Sequence, residues 1–428
     1  MRFVHVNHRY EPYVGGSERY MQEVSTMLSA IGHDVSVVTS DASDLEYFWN
    51  SSRQAISAPE RERLDGVDVH RVKVRHFPGS PLIFQASRRL MGEASRLPFP
   101  AQPFAMVSSK LPWMPGMDAA LTDNGPVDLI HAANLGLEGL ALVAEREARR
   151  NGVPFMLTPF IHLGSSTDDV ARRYVSMPHQ RYLLHMATHT IVMTHSEAHF
   201  VTSLGICPES VTISGVGINL DEVSGGDGER FRHKYGIEGG LVGTAGAVAF
   251  DKGSKDLVMA VMDLRRRGHD VKLALAGPRL QQFDEWFANL GTGTTHGIHL
   301  LGFIPPDEKR DMLAALDVLT MPSRTESFGI AYLEGWANRK PVLAAIAGAV
   351  PELVRENENG ILVEFGAVAE IASGILHLLS SPATAEKLGD AGYALTTSCY
   401  TWPMVLKRVR TAYSRALGFE LPEITYHD

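Results

Sequence analysis

The chain has 428 residues, of which 44% are hydrophobic and 21% charged, a globular composition that excludes a mainly disordered chain. That length predicts two or three domains. Its 40 basic and 49 acidic residues leave a net charge of −9, which argues against nucleic-acid binding through a whole-surface positive field.

Phe3 to Val6 reads as a short strand, followed by a loop over 7–16. Tyr20, Val24, Met27, Leu28 and Ile31 then recur at helical spacing, and Gly32 ends that helix. Val35 to Thr39 is the next strand, so the opening is a βαβ unit and implies a parallel sheet. Residues 41–126 break the alternation and read as an insertion. Pro98, Pro100, Pro103, Pro112 and Pro115 argue there against ordinary helix or strand. Strands resume at Val127–His131, Phe155–Thr158, Thr190–Thr194 and Val211–Ser214. The stretch 221–240, with six glycines and many charges, looks like a linker.

A second series follows: strands at Leu241–Gly246, Val271–Ala276, His299–Phe303, Val318–Met321 and Val342–Ala345, with helices such as 255–267 and 307–315 between them. Trp402 to Leu417 reads as an amphipathic helix with Val405, Val409 and Tyr413 in phase. The expected architecture is α/β: two Rossmann-like, doubly wound domains facing a central cleft, with ligands outside the carboxyl ends of the strands. The domains are expected at 1–218, carrying the 41–126 insertion, and at 219–396. A terminal segment 397–428 is expected to return to the first domain.

No secretory signal or apolar run near ~20 residues is visible. Cys207 and Cys399 cannot form a disulfide framework and read as reduced thiols, so a cytoplasmic protein is expected, with membrane-surface association left open. His185/His189 and His195/His199 are spaced four apart, but a strand separates the pairs and no His-Glu-X-X-His is present. No essential metal is expected. There is no Gly-X-Gly-X-X-Gly after the first strand and no Walker A sequence, which argues against a dinucleotide dehydrogenase and a P-loop enzyme.

The richest stretch is 322–334, Pro-Ser-Arg-Thr-Glu-Ser-Phe-Gly-Ile-Ala-Tyr-Leu-Glu. A strand runs through a loop into a helix, and Ser327, Phe328, Gly329 and Ile330 are expected at the helix start, where free N–H groups favour a phosphate. Glu326 and Glu334 lie eight residues apart. They suit the sugar and ribose hydroxyls of a nucleotide diphosphate sugar, since carboxylates accept hydrogen bonds. The same spacing fits an amphipathic helix with two solvated glutamates.

Residues 318–363 resemble the donor-binding region of the retaining family 4 glycosyltransferases, which have the GT-B fold. Carrying the likeness are Glu326 and Glu334, then Gly335 to Ala344, Gly348 to Val354 and Glu358 to Val363. The resemblance extends over most of 1–40 and 127–428. It implies a retaining transfer from a nucleotide diphosphate sugar, which serves as co-substrate with no other cofactor, to an acceptor not readable from sequence. It implies that Lys252 binds the diphosphate, that Glu326 and His162 position the sugar and that Glu334 holds the ribose. It places the base near Phe303, Ile304 and Lys309, and Gly15 and Gly16 in a loop near the phosphates. Ala247 stands where the family usually carries an arginine.

Phe99, Phe104, Trp113 and Met114 of the insertion offer apolar area, and Arg88, Arg89, Arg96 and Lys110 offer charge for an anionic or membrane-borne acceptor. A structural lid or a homodimer contact fits those residues equally well. The alternatives for the whole chain are a GT-B sugar-nucleotide epimerase and a degenerate, non-catalytic binder of sugar nucleotides. Nucleic acid is not an expected partner.

Overall fold

The computed structural model describes residues 1–12, 15–123, 125–161, 163, 170–291 and 295–423. Two compact units emerge: the described residues of 1–162, 166–215 and 405–428 form one, and those of 163–165 and 216–404 the other.

The first unit is built on an eight-stranded sheet: β1 (Arg2–Val6), β2 (Asp34–Ser40), β3 (Arg61–Leu64), β4 (Val67–Val72), β5 (Leu129–Ala133), β6 (Phe155–Thr158), β7 (His189–Val192) and β8 (Val211–Ile213). Their order is β3-β4-β2-β1-β5-β6-β7-β8. Only the β3/β4 hairpin is antiparallel. The order reverses between β1 and β5. There His5 and His131 are register partners. Both are fully buried, and Tyr413 from the helix Trp402–Leu417 bridges them. Its hydroxyl lies 2.8 Å from His5 Nε2 and 2.6 Å from His131 Nδ1. Ser25 Oγ, 2.7 Å from His5 Nδ1, and Thr158 Oγ1, 2.8 Å from His131 Nε2, complete the chain of bonds. Burial lowers the pKa of His5 to about 3 and that of His131 well below the ordinary histidine value.

The 41–126 segment is more regular than its prolines suggest. β4 extends the parallel sheet beside β2, and β3 folds back on it. Helices form at Ser80–Ala94, Ala101–Ser108 and Met117–Thr122. Pro81 and Pro103 sit in first turns, and Pro100 is an N-cap, positions that need no backbone N–H. Phe104 and Met114 are buried, and Phe104 packs with Met91 and Met177 in a small satellite core. Arg88 is committed inward to the fully buried Glu138 at 2.5 Å. These three residues are therefore not offered to an acceptor.

The second unit carries a six-stranded, all-parallel sheet of β9 (Gly240–Ala245), β10 (Val271–Ala276), β11 (Ile298–Gly302), β12 (Val318–Met321), β13 (Val342–Ala345) and β14 (Gly360–Val363). The order is β11-β10-β9-β12-β13-β14. This is the doubly wound Rossmann order, and its switch point lies between β9 and β12. Its strands are short and mostly apolar, as both-face burial demands. Residues 221–240 are not a linker. Helices form at Leu220–Val223 and Gly228–Tyr235. Two of the glycines there allow close packing: a Cβ on Gly226 would collide with the Arg310 carbonyl, and one on Gly228 would crowd the backbone at Ala314–Ala315.

Candidate functional site

At the switch point of the second sheet, two loops leave the carboxyl ends of β9 and β12. One covers 246–253 and the other 322–329. Their backbones are joined where Arg324 N–H donates to the Asp251 carbonyl at 2.7 Å. Gly253, at φ +71°, caps the helix Ser254–Arg266, and a Cβ there would strike the Pro322 carbonyl. Glycine at 253 thus lets the loops close on each other and sets Lys252 beside Glu326. Lys252 Nζ donates to Glu326 Oε2 at 3.0 Å. A third loop, after β13, backs this pair: Gly348, at φ +53°, packs on the Glu326 carbonyl, where a Cβ would lie 2.6 Å away.

The helix after β12 spans only Ile330–Ala337. Ser327, Phe328 and Gly329 therefore precede it rather than open it. The physical reason is Gly329, the N-cap at φ +99°, whose left-handed backbone cannot belong to the helix. Ile330 is the first helical residue, and the free N–H groups of the first turn begin there. Phe328 is buried edge-on against Tyr400 at 5.3 Å, so its side chain is packing. Tyr332 anchors the helix through a 2.8 Å bond from its hydroxyl to the Met321 carbonyl. Burial first, and the nearby Glu326 charge second, push its phenol well above the usual tyrosine range.

Glu334, nearly buried, accepts from Lys309 Nζ at 2.7 Å. Lys309 lies on the helix Pro306–Ala315, which follows the loop holding Phe303 and Ile304. Phe303 is 87% exposed, so this residue is not core. The second unit thus brings together Lys252 with Glu326 and Lys309 with Glu334. Gly15 and Gly16 lie in the first unit at the start of the helix Gly16–Ala30. Gly15 is extended at φ −143°, so its conformation does not require glycine. His162 lies outside the described residues. His189 is a buried strand residue, 2.8 Å from Thr212 Oγ1. Among the described residues, no group of three or more His, Cys, Asp or Glu is placed to hold a metal ion. Gly348 opens one of the stretches that carry the family likeness, but its contact with Glu326 and the Arg324–Asp251 bond are not legible in the sequence; glycines just after strand ends are the signal that points to such contacts.

The glycosyl transferases group 1 family matches residues 228–395, and the glycosyl transferase 4-like domain matches residues 15–217. The chain belongs to the family 4 glycosyltransferases. Among curated members, the family 4 chain is 28% identical over 327 residues to a 2-deoxystreptamine glucosyltransferase of Streptomyces kanamyceticus, covering 72% of this chain and 84% of that one. It is 23% identical over 455 residues to the MMP alpha-(1->4)-mannosyltransferase of Mycolicibacterium hassiacum, covering 98% and 99%. Among solved structures, HepE of Anabaena in complex with UDP superimposes with a TM-score of 0.70 at 17% identity, covering 97% and 100%. Sucrose-phosphate synthase of Thermosynechococcus elongatus gives 0.71 at 17% identity, covering 98% and 100%. The fold of this glycosyltransferase is GT-B, with two Rossmann-like units.

Proposed function

We propose that this glycosyltransferase is retaining and metal-independent, and that it moves a sugar from a nucleotide diphosphate sugar to an acceptor hydroxyl on a glycan, lipid or small molecule. The observation that carries the reading is the Lys252–Glu326 pair held between two loops at the switch point of a doubly wound sheet. An ammonium has three N–H donors. One of those on Lys252 goes to Glu326, and the others are available for diphosphate oxygens. As the bond from the anomeric carbon to the diphosphate breaks, that cation and the first turn at Ile330 stabilise the departing negative charge. The acceptor oxygen attacks on the face that the diphosphate leaves, through an oxocarbenium-like transition state, and passes its proton to the departing phosphate.

Glu326 and His162 position the sugar in this reading. Lys309 engages Oε1 of Glu334, and the other carboxylate oxygen of Glu334 is assigned to the ribose. Phe303, exposed at the end of β11, and the neighbouring Ile304 are assigned to the base, since an aromatic face offers stacking. Gly15 and Gly16 are assigned to the loop near the phosphates.

Curated relatives include GDP-mannose-dependent mannosyltransferases, and HepE is seen with UDP, so UDP-, GDP- and ADP-sugars form the first thermal-shift panel. One class is expected to raise the melting temperature, and transfer should continue in EDTA. NMR of the product should show the donor's anomeric configuration. An inverted product, or activity that EDTA abolishes and a divalent ion restores, would refute the corresponding half of the proposal. Release of an epimerised sugar from the donor alone would favour an epimerase instead.

A further inference from the structure

Among the described residues, eight of the 17 exposed large hydrophobic side chains fall in the 32 residues from Leu82 to Trp113. The helix Ser80–Ala94 turns Phe84 and Met91 inward. Leu82, Ala86 and Leu90 recur every four residues on the opposite side, and Leu82 and Leu90 are 74% and 72% exposed. The helix Ala101–Ser108 buries Phe104 and Ser108 and leaves Met106 71% exposed beside Val107. Both helices pack inward on the core of Met91, Phe104 and Met177.

The charge of this segment is opposite to that of the chain. Residues 77–117 hold four basic residues and one acidic residue, for +3 against −9 overall; Arg88 is committed to Glu138 and Arg96 pairs with Glu93 at 3.1 Å, so Arg89 and Lys110 carry the charge of the face. Arg89 and Lys110 are exposed with no acidic partner among the described residues. Between the turn after the first of these helices and the helix Pro178–Met186 runs an open groove of about 600 Å³. Arg96, Leu97 and Phe99 line one side, and Arg181, Tyr182 and His185 the other. Leu97 and Phe99 are exposed, Arg96 pairs with the exposed Glu93 at 3.1 Å, and Arg181 has no acidic partner among the described residues.

We infer that this face of the first unit docks on an anionic lipid bilayer, with Leu82, Leu90, Met106 and Phe99 entering the headgroup–acyl boundary and a lipid phosphate seated between Arg96 and Arg181. The chemistry that selects this partner is apolar side chains interleaved with cations, of which Arg89, Lys110 and Arg181 have no acidic partner among the described residues, and this suits an acidic membrane surface. A second copy is disfavoured because a two-fold contact through the same patch would set Arg89, Lys110 and Arg181 of one copy against those of the other. The docking does not depend on which donor the enzyme uses, so failure of the donor assignment leaves it standing.

The test is co-sedimentation of the full chain with two sets of vesicles, one of phosphatidylcholine and one in which about a third is phosphatidylglycerol. Binding to the anionic set is expected, with little to the neutral one. Leu82→Ser with Leu90→Ser, and separately Arg96→Glu with Arg181→Glu, should each weaken that binding at least about tenfold. Both pairs change exposed side chains, and unaltered melting temperature and donor binding would verify that they fold. Equal binding to both vesicle types would overturn the inference, as would variants that bind like the parent. A dimer in light scattering that the same variants dissolve, without vesicle binding, would assign the face to a second copy and overturn it as well.

Discussion

In the first unit the fully buried Glu138 carboxylate meets Arg88, His179 and Ser108, whereas in the second unit Glu326, among the described residues, meets Lys252 at the edge of solvent. Burial alone would raise the Glu138 pKa, but Arg88 and His179 outweigh it and hold the group at about 2. Every one of those partners also ties elements together. Arg88 and Ser108 come from the two insertion helices, and His179 comes from the helix Pro178–Met186. Among the described residues Lys252 and Glu326 hold no comparable network, and their side chains retain 28% and 12% exposure. A buried carboxylate bonded by side chains from several elements serves the fold, while a pair with donors left over and access to solvent is free to take a ligand.

The central strands repeat the contrast. β1 and β5 meet at His5 and His131, two neutral rings bridged by a phenol. β9 and β12 meet at Val242 and Val318, both buried in an apolar core. The same doubly wound plan thus has a titratable centre in one sheet and an inert one in the other.

The largest expected effect is in the first unit. Glu138→Ala removes the common partner of a part-buried cation, a buried histidine and a buried serine, and should destabilise that unit by about 3–5 kcal/mol. Hydrogen exchange should locate the loss around the insertion helices, and donor binding should survive where the chain remains folded. Wild-type-like protection at residues 80–108 would show that the network holds nothing in place.

Lys252→Ala and Glu326→Ala should each lower transfer at least ~100-fold, the scale of losing one preorganised electrostatic contact. Neither should shift the melting temperature much, because the pair is partly solvated. Near-normal turnover in either variant would remove that residue from the site.

Acid should separate the two sheets. His5, His8 and His131 have folded-state pKa values lowered by burial, to about 3 and about 4 for the first two. Below the unfolded value of about 6.5, the unfolded chain binds more protons, so stability falls as pH falls. Each such histidine contributes a slope of about 1.4 kcal/mol per pH unit until its folded pKa is reached. Protection factors in β1 and β5 should therefore drop between pH 7 and 5 more than those in β9 and β12. The half-buried His299, also lowered by burial, gives the second sheet a smaller dependence. Equal losses in both sheets would contradict the contrast.

The smallest effect is a gain. Ala247→Arg, in the half-buried loop after Gly246, adds the cation that the family usually carries beside the diphosphate. Donor binding by calorimetry should tighten by ~1–2 kcal/mol. An unchanged Kd would mean that another cation already fills the place.

Periodicity and apolar runs made most strands legible. Phe155–Thr158, Val271–Ala276, Val318–Met321 and Val342–Ala345 coincide with their expected bounds because strands buried on both faces are short, mostly apolar stretches. β3, with the sequence Arg-Glu-Arg-Leu, offers no such pattern and forms by pairing with β4. β4 does alternate, with Val67 and Val69 buried and Asp68 and His70 less so, and the signal was obscured by the proline-rich segment that follows. The glycines of 221–240 suggested flexibility, but the sequence cannot distinguish a glycine that bends freely from one that admits a neighbour's backbone.

By itself the sequence determined two βα series, the strand–loop–helix carrying Glu326 and Glu334, and the family motifs. These are local, set by residue type and short spacing. Only the tertiary structure decided that Lys252 meets Glu326 across 74 positions of chain, that Lys309 meets Glu334, and that Arg88 turns inward to Glu138 while Arg89 remains exposed. Such pairings depend on the order of strands in a sheet and on which helix face finds a core. Strand order and face selection are settled by long-range burial, which no window of sequence contains.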